Sequence, residues 1–159
     1  MSYGDFKRGL YPGNLPGVIA RVLNRFWAIV HATGIARNYL ATLEVTGRKS
    51  GKPIALPVVI ARIDGQSYLV SMLGDDAQWV QNVRAAQGKA FLLMGGRTEV
   101  RLEEVPPEQR APILKAYLQR APGARPHIPV SKDAPVEAFE PIAAAYPAFR
   151  IVPQTAKQA

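Results

Sequence analysis

The chain has 159 residues, a length that predicts one domain with a sizeable core. It has no cysteine, which excludes disulfides, thiolate metal sites and cysteine nucleophiles. With only two histidines as well, we expect no metal centre. The formal net charge is +8, and residues 1–52 carry eight Lys and Arg but only two Asp and Glu. Such a charge attracts nucleic acid, an anionic membrane surface or an acidic small molecule. We do not expect nucleic acid, because basic and aromatic residues are not interleaved and no helix-turn-helix or RNA-binding motif is present.

The N-terminal part of the chain predicts one helix. Residues 1–15 look irregular and lack the apolar stretch of a signal peptide. Apolar residues then recur at helical spacing over residues 16–33, and Gly34 provides a stop. This helix packs on the core or, alternatively, lies on a membrane surface or over a pocket. We expect a cytoplasmic location, with peripheral membrane contact through residues 16–33 as the alternative.

The rest of the chain is predicted to alternate strands with tight turns and a few helices. Asp64-Gly65 is a strong hairpin turn, and Asp75 or Asp76 is expected to cap a short helix that Gly88 ends. The predicted strands cover residues 39–46, 54–63, 66–73, 89–94, 97–105 and 148–152, and the predicted helices cover residues 77–86, 106–119 and 136–145. The Pro-rich segment 121–135 is expected to be irregular.

This order of elements predicts a mainly β fold with flanking helices, in the α+β class. Consecutive strands joined by tight turns pair antiparallel, and five or six of them form a small barrel. We place the barrel core in residues 38–105 and the C-terminal helices and last strand in residues 106–152 of a single domain. Pro57 falls in the middle of a predicted strand, so it should lie on an edge or at a bulge.

The connection between the first two predicted strands is built like an anion-binding loop. Its sequence is Thr46-Gly47-Arg48-Lys49-Ser50-Gly51-Lys52-Pro53. The two glycines allow a sharp turn with outward N–H groups, and the cations add donors for phosphate or carboxylate oxygens. A P-loop is excluded because the glycines are too close together and a strand follows. The alternative is a solvated basic hairpin tip.

A second group of candidate residues lies on the predicted helix over residues 77–86. Trp79 and Asn82 are three positions apart and therefore share one helix face. Trp79 has an alternative role as an ordinary core residue. A buried Asn must satisfy its amide, either on a turn or on a ligand.

The two segments together resemble the deazaflavin-dependent nitroreductase family of the split β-barrel flavin-binding superfamily. The resemblance covers roughly residues 38–105 and rests on the Thr46–Gly51 segment, a strand with Pro57, Ser71 at a strand end, and Trp79 followed by Asn82. It implies an antiparallel split barrel. The sequence departs from many relatives in having Met72 in place of a Lys and in having Asp75 and Asp76 where a Gly- and Pro-rich connection is usual.

The resemblance implies a bound deazaflavin, coenzyme F-420, whose phosphate and oligoglutamate tail would lie on the loop, with FMN as the second choice. The strand after the loop and the backbone near Ser71 would flank the ring. The cofactor-binding residues implied in this way are Thr46, Gly47, Arg48, Lys49, Ser50, Gly51, Pro57, Val58, Ser71, Met72, Trp79 and Asn82.

The function implied by the resemblance is a deazaflavin-dependent oxidoreductase. It would pass a hydride from the reduced cofactor to a small organic acceptor such as a quinone, a nitroaromatic or an activated alkene. The cofactor carries the difficult chemistry, so the candidate catalytic residues are only proton donors: Ser71, Tyr68, His127 and Tyr146. The alternatives are a non-catalytic split barrel that binds FMN, haem or fatty acid, and a basic membrane-surface protein. The protein is expected to be a monomer or a homodimer.

Overall fold

The computed structural model describes residues 39–94 and 96–154. The helix predicted over residues 16–33 lies outside the described residues. The strands are β1 Leu40–Thr46, β2 Pro53–Val59, β3 Ala61–Ile63, β4 Gln66–Val70, β5 Lys89–Leu93, β6 Arg97–Glu104 and β7 Ala148–Pro153. The helices are α1 Gln78–Ala85 and α2 Ala111–Arg120, together with 3-10 helices at Pro107–Gln109, Pro122–His127 and Val136–Ala145.

The strands form one antiparallel sheet that closes on itself. Their order is β2-β1-β5-β6-β7-β4-β3, and every pair is antiparallel. In a flat sheet of this width the outermost strands would lie roughly 29 Å apart, at ~4.8 Å for each neighbour. However, β2 and β3 are separated in sequence only by Ile60, and one residue spans about 3.5 Å. The sheet must therefore curl until its two edges meet, which confirms the predicted barrel.

The edge position of β2 explains why a proline is tolerated within it. Pro57 pairs with Thr42 of β1, and within the described part of the chain β2 has no hydrogen-bonded neighbour on its other side. Because proline has no N–H to donate, it fits a strand that is bonded on one side only. The predicted edge position is confirmed. The single strand predicted over residues 54–63 is interrupted at Ile60, whose N–H bonds the carbonyl of Tyr39.

Two apolar clusters hold the barrel together. The inner core fills the barrel with alternate residues of its strands and the buried face of α1, including Leu43, Leu69, Val80, Val83 and Phe149. The outer core lies between the sheet and the C-terminal helices and includes Leu114, Leu118 and Phe139. Since α1 contributes to the inner core, its position is fixed relative to β1 and to the loop that follows β1.

Local sequence signals decide most element boundaries, but not all of them. Part of the segment 121–135, which was expected to be irregular, forms the 3-10 helix Pro122–His127. Asp64 and Gly65 have positive φ angles, as the hairpin turn requires, and Gly88 has φ +89° just after α1. Side-chain capping of α1 by Asp75 or Asp76 is wrong, because Ala77 is the N-cap and no side chain bonds there. The helix predicted over residues 106–119 is divided into a 3-10 turn and α2, and residues 136–145 form a 3-10 helix that contains Pro141. Within the described ranges, no helix is long and apolar enough to cross a bilayer.

Candidate functional site

The loop from Gly47 to Lys52 is a closed turn that favours glycine at both positions. The Gly47 N–H bonds the Lys52 carbonyl at 2.8 Å, and the Gly51 N–H bonds the Gly47 carbonyl at 2.8 Å. Gly51 has φ +72°, which favours glycine. A Cβ at Gly47 would lie 2.7 Å from Ser50 Oγ. The loop is therefore a fixed structure rather than a loose hairpin tip.

The loop uses most of its backbone donors internally. Besides those of the two glycines, the Arg48 N–H bonds Asn82 Oδ1 at 3.1 Å and the Lys52 N–H bonds Ser50 Oγ at 3.1 Å. The expectation of outward N–H groups therefore holds for only part of the loop. Within the described residues, the N–H groups of Lys49 and Ser50 make no hydrogen bond. These two donors remain for an anion.

Arg48 is held on α1 by two side-chain amides. Its guanidinium donates to Asn82 Oδ1 at 2.8 Å through Nη1 and to Gln78 Oε1 at 3.0 Å through Nη2. Gln78 and Asn82 are four residues apart, so they lie on one face of the helix. Both partners are neutral, and the arginine keeps its full positive charge in a defined place.

The cations of the loop have no carboxylate partner within the described part of the chain. The ion pairs found there involve other basic residues, and none includes Arg48, Lys49 or Lys52. All three side chains are exposed. Uncompensated cations that are close in sequence on a rigid turn produce a local positive potential. The arrangement suits an anionic ligand better than it suits a structural ion pair.

Asn82 satisfies its amide oxygen on the loop. The residue is 3% exposed, and Oδ1 accepts from both the backbone and the guanidinium of Arg48. The sequence left two roles open for this amide, a turn or a ligand. The structure places its oxygen on the turn, where it holds both the backbone and the guanidinium of Arg48.

Trp79 lies between the core and the surface. The side chain is half-buried against the inner core, and its ring centroid is 5.5 Å from that of Phe149 at an interplanar angle of 56°. Val58 of β2 packs on the same core from the barrel edge. The half-buried indole therefore offers one apolar surface to the core and leaves the remainder accessible.

Ser71 lies in the turn between β4 and α1 and is 1% exposed. Its hydroxyl donates to the Gly74 carbonyl at 2.7 Å, and its N–H bonds the Pro147 carbonyl at 2.9 Å. The proton of Ser71 is therefore used inside the turn. Met72 is half-buried and packs on the outer core.

The other candidate proton donors lie on or next to other elements of the fold. Tyr68 is half-buried and is paired with Ala61 and Arg150 across β4. The hydroxyl of Tyr146 donates to the carbonyl of His127 at 2.8 Å, and His127 itself is exposed. A cavity of about 440 Å³ lies nearby but contains none of the predicted site residues; it is lined by Arg125, Ile128, Pro129, Val130, Ser131, Lys132 and Asp133.

An ionic network that the sequence did not reveal holds the other side of α1. Arg84 bonds Asp75 at 2.8 Å and Glu104 at 2.7 Å, and hydrogen bonds to these carboxylates raise the pKa of Arg84. Arg110, 5% exposed, bonds Glu104 at 3.3 Å and the Val105 carbonyl at 2.8 Å. Burial lowers the pKa of Arg110. The carboxylate of Asp75, which lies between Ser71 and Trp79 in the sequence, is thus paired with a cation.

Comparison with protein families gives one match. Residues 23–136, more than half of the chain, match the family described as F420H(2)-dependent quinone reductase. No curated protein sequence matches.

Comparison with solved structures gives matches of low sequence identity. A protein of unknown function from Agrobacterium tumefaciens str. C58 has 13% identity and a TM-score of 0.49 over 71% of this chain and 47% of its own, so this chain spans about half its length. An F420-H2 dependent reductase, FDR-A, has 20% identity and a TM-score of 0.49 over 71% of this chain and 93% of its own. An FAD-binding protein from Mesorhizobium loti has 18% identity and a TM-score of 0.45 over 89% of this chain and 91% of its own. The family assignment rests on the family model.

Proposed function

The chain belongs to the F420H(2)-dependent quinone reductase family and is a deazaflavin-dependent oxidoreductase that uses coenzyme F-420, and we propose that its loop over residues 46–51 binds the anionic tail of this cofactor. The observation that supports this proposal is the geometry of Arg48. Its guanidinium is fixed by Gln78 and Asn82 at 3.0 and 2.8 Å, and it has no carboxylate partner among the described residues.

The donor set of the loop fits the chemistry of such a tail. Phosphate and carboxylate oxygens accept charge-assisted hydrogen bonds from guanidinium and ammonium groups. Lys49 and Lys52 are exposed beside Arg48, and the Lys49 and Ser50 N–H groups are without a partner within the described residues. An FMN phosphate would engage some of these donors, but a tail of several carboxylates engages more of them. We therefore expect the deazaflavin to bind more tightly than FMN.

The ring of the cofactor would lie near the barrel edge and α1. Pro57 and Val58 on β2, Trp79 on α1 and Met72 after β4 are half-buried, and they would provide apolar contacts that exclude water. When bound in its reduced form, the deazaflavin supplies a hydride. Reduction of a quinone to a quinol also needs a proton. Ser71 already donates to Gly74, so we favour Tyr68 over Ser71 as a proton donor.

Cofactor titration tests the proposed binding site. Tryptophan fluorescence of the purified protein would be followed during addition of coenzyme F-420 and, separately, of FMN. Arg101→Ala is a matched control for Arg48→Ala, because Arg101 is also exposed and forms no ion pair within the described residues. We expect tighter binding of the deazaflavin and weaker deazaflavin binding in Arg48→Ala alone. Equal or tighter binding of FMN would contradict the proposal.

Steady-state turnover tests the acceptor. The reduced deazaflavin would be oxidised in the presence of a quinone, a nitroaromatic or an activated alkene, and we expect the highest kcat/KM with the quinone. Tyr68→Phe should lower kcat with the quinone if Tyr68 donates the proton. An unchanged kcat would leave proton donation to water or to His127.

The proposal extends to the location and the oligomeric state of the protein. We propose a single-domain cytoplasmic protein, monomeric or homodimeric, with peripheral membrane contact through residues 16–33 as the alternative. The concentration of basic residues in residues 1–52 supports that contact. Sedimentation with anionic and neutral liposomes at two salt concentrations tests it, and equal sedimentation with both liposomes would argue against an electrostatic contact.

A further inference from the structure

The outward side of the strands β2, β1 and β5 is buried from solvent. Side chains alternate along a strand, so the residues that do not enter the inner core point out of the barrel. The register aligns these outward residues across the three strands, because Thr42 pairs with both Pro57 and Leu93. The buried ones form what we name the outward face: Leu40 at 3% exposure, Thr42 at 1%, Ala55 at 8% and Leu93 at 3%.

The neighbouring strand β6 shows how the same side of the sheet looks when water covers it. Its outward residues are charged and exposed: Arg97, Glu99, Arg101 and Glu103. Glu44 of β1 bonds Arg97 at 2.7 Å, and the Arg97 guanidinium lies 3.7 Å from the centroid of the Phe91 ring, so this pair marks the boundary of the exposed part. Thr42 and Leu93 are far less exposed and must have protein atoms packed above them.

The described helices pack on other parts of the sheet. The helix α1 contributes to the inner core, and α2 contacts β3 and β4. The outer core joins α2 and the 3-10 helix Val136–Ala145 to β3, β4 and β7, through Ala61, Val70 and Ala148. The four residues of the outward face belong to neither core. Their cover therefore comes from a part of the chain outside the described ranges.

Of those parts, residues 16–33 have the composition and the length to cover the outward face. Residues 155–159 and Gly95 include no large apolar side chain. Residues 16–33 instead repeat apolar side chains at helical spacing, namely Val18, Ile19, Val22, Leu23, Phe26, Trp27 and Val30. A helix over these residues would be about 27 Å long and about 10 Å wide, and three neighbouring strands are about 10 Å across.

The chain enters β1 at the edge of the outward face. The Tyr39 carbonyl accepts a hydrogen bond from the Ile60 N–H at 2.7 Å, and the Arg120 guanidinium lies 4.2 Å from the centroid of the Tyr39 ring. The residue before β1 is thus fixed next to Leu40. Residues 34–39 can span about 20 Å, which is enough for a preceding helix to fold back over the strands.

We propose that the outward face is the docking surface for the apolar side of residues 16–33 of the same chain. Docking removes Thr42 and Leu93 from water and supports β1 and β2, the two strands that the Arg48 loop connects. The apolar side of residues 16–33 is then unavailable to a membrane. This inference does not depend on the proposed function, because it concerns the barrel and not the cofactor.

A single introduced thiol reports on the cover of the outward face, because the chain has no cysteine of its own. Ala55→Cys is a small change at a buried position, and Glu99→Cys is its control on the exposed outward side of β6. Reaction with a maleimide requires an accessible thiol. We expect Ala55→Cys to react roughly 10- to 100-fold more slowly than Glu99→Cys, with and without anionic liposomes. Equal rates, or loss of the protection in liposomes, would overturn the proposal.

A second substitution tests whether residues 16–33 provide the protection. Phe26→Glu places a charge on the apolar side of the segment, where burial of the charge is unfavourable, whereas Arg25→Glu changes only the polar side. We expect Phe26→Glu to bring the labelling rate of Ala55→Cys to within about 3-fold of that of Glu99→Cys, and Arg25→Glu to leave it slow. Unchanged protection in Phe26→Glu would contradict docking by this segment.

Crosslinking identifies the occupant without a disruptive charge. Ala55→Cys would be combined with Val18→Cys, Val22→Cys or Phe26→Cys on the apolar side, or with Arg21→Cys on the polar side, and treated with a short bismaleimide. We expect an intramolecular product from at least one apolar-side position and little product from Arg21→Cys. A crosslinked dimer would assign the outward face to a second copy of the chain and overturn the proposal, as would the absence of product from all three apolar-side positions.

Discussion

Two arginines hold α1, and their partners differ in charge. Arg48 approaches the helix from the loop after β1 and bonds two neutral side-chain amides. Arg84, on the helix itself, bonds the carboxylates of Asp75 and Glu104. Each arginine joins α1 to another part of the fold through well-formed hydrogen bonds.

The difference in partners gives the two arginines different uses. A carboxylate fixes a guanidinium and also cancels its charge, whereas an amide oxygen fixes it and leaves the charge in place. Arg84 is consequently a structural contact, with a raised pKa caused by its hydrogen bonds to the carboxylates. Arg48 keeps a positive charge at a defined position, as an anionic ligand requires. Neutral partners are thus the feature that distinguishes Arg48, which we propose binds the anionic tail, from the structural Arg84.

Arg48→Ala should give the largest loss of cofactor affinity. A hydrogen bond that involves a charged group contributes roughly 1.5–3 kcal/mol, so we expect coenzyme F-420 to bind roughly 10- to 100-fold more weakly. The cofactor-free protein should also lose about 1 kcal/mol of unfolding free energy, because the guanidinium contacts to α1 disappear. Fluorescence titration and urea unfolding measure the two effects, with Arg101→Ala as the control for charge. A loss of stability without a loss of affinity would make Arg48 a structural residue like Arg84.

Glu104→Gln should lower the free energy of unfolding and leave the affinity for the cofactor nearly unchanged. The variant weakens the partner shared by Arg84 and the buried Arg110, although Arg110 keeps its backbone acceptors. Because Glu104 is partly exposed to solvent, we expect a loss of about 1–2 kcal/mol of unfolding free energy. Affinity for coenzyme F-420 should change less than about 3-fold. Urea unfolding and titration check this, and a larger loss of affinity than in Arg48→Ala would contradict the comparison.

Lys49→Ala should give a smaller effect that depends on salt. Lys49 is exposed, and no side chain of the described residues holds it in place, so its ammonium acts as a solvated point charge. We expect affinity for the cofactor to fall roughly 2- to 5-fold at low salt and less at high salt. Titration at two ionic strengths measures this. An effect that is independent of salt would indicate a direct, desolvated contact instead.

The sequence predicted the features of the fold that depend on nearby residues. Strand alternation, the Asp64-Gly65 turn, the edge position of Pro57 and the stop at Gly88 are all local signals, and the structure confirms them. The prediction that an aspartate caps α1 is wrong, and for Asp75 the competing partner lies on the helix itself, nine positions later. Asp75 pairs with Arg84 rather than with the helix N-terminus.

The candidate site also depends on contacts between distant residues, which the sequence does not reveal. The basic loop is visible in the sequence, but its orientation depends on contacts between residues 30 and 34 positions apart. Arg48 and Asn82 are separated by 34 residues, and no periodicity indicates that they meet. Gln78 was not identified, although it lies four residues before Asn82 on the same helix face. That i, i+4 pair of amides is a signal that the sequence offers once the loop and the helix are known to be in contact.

One substitution tests directly whether Arg48 binds because its partners are neutral. Gln78→Glu replaces an exposed amide, 3.0 Å from Arg48 Nη2, with a carboxylate of the same shape, so the arginine stays in place while its charge is compensated. Gln119→Glu, at an exposed position near the end of α2, makes the same change in net charge away from the loop. We expect coenzyme F-420 to bind roughly 3- to 10-fold more weakly to Gln78→Glu at low salt, while the cofactor-free variant keeps the parent melting temperature. Gln119→Glu should bind the cofactor with the parent affinity. Equal affinity in Gln78→Glu and the parent would contradict the account.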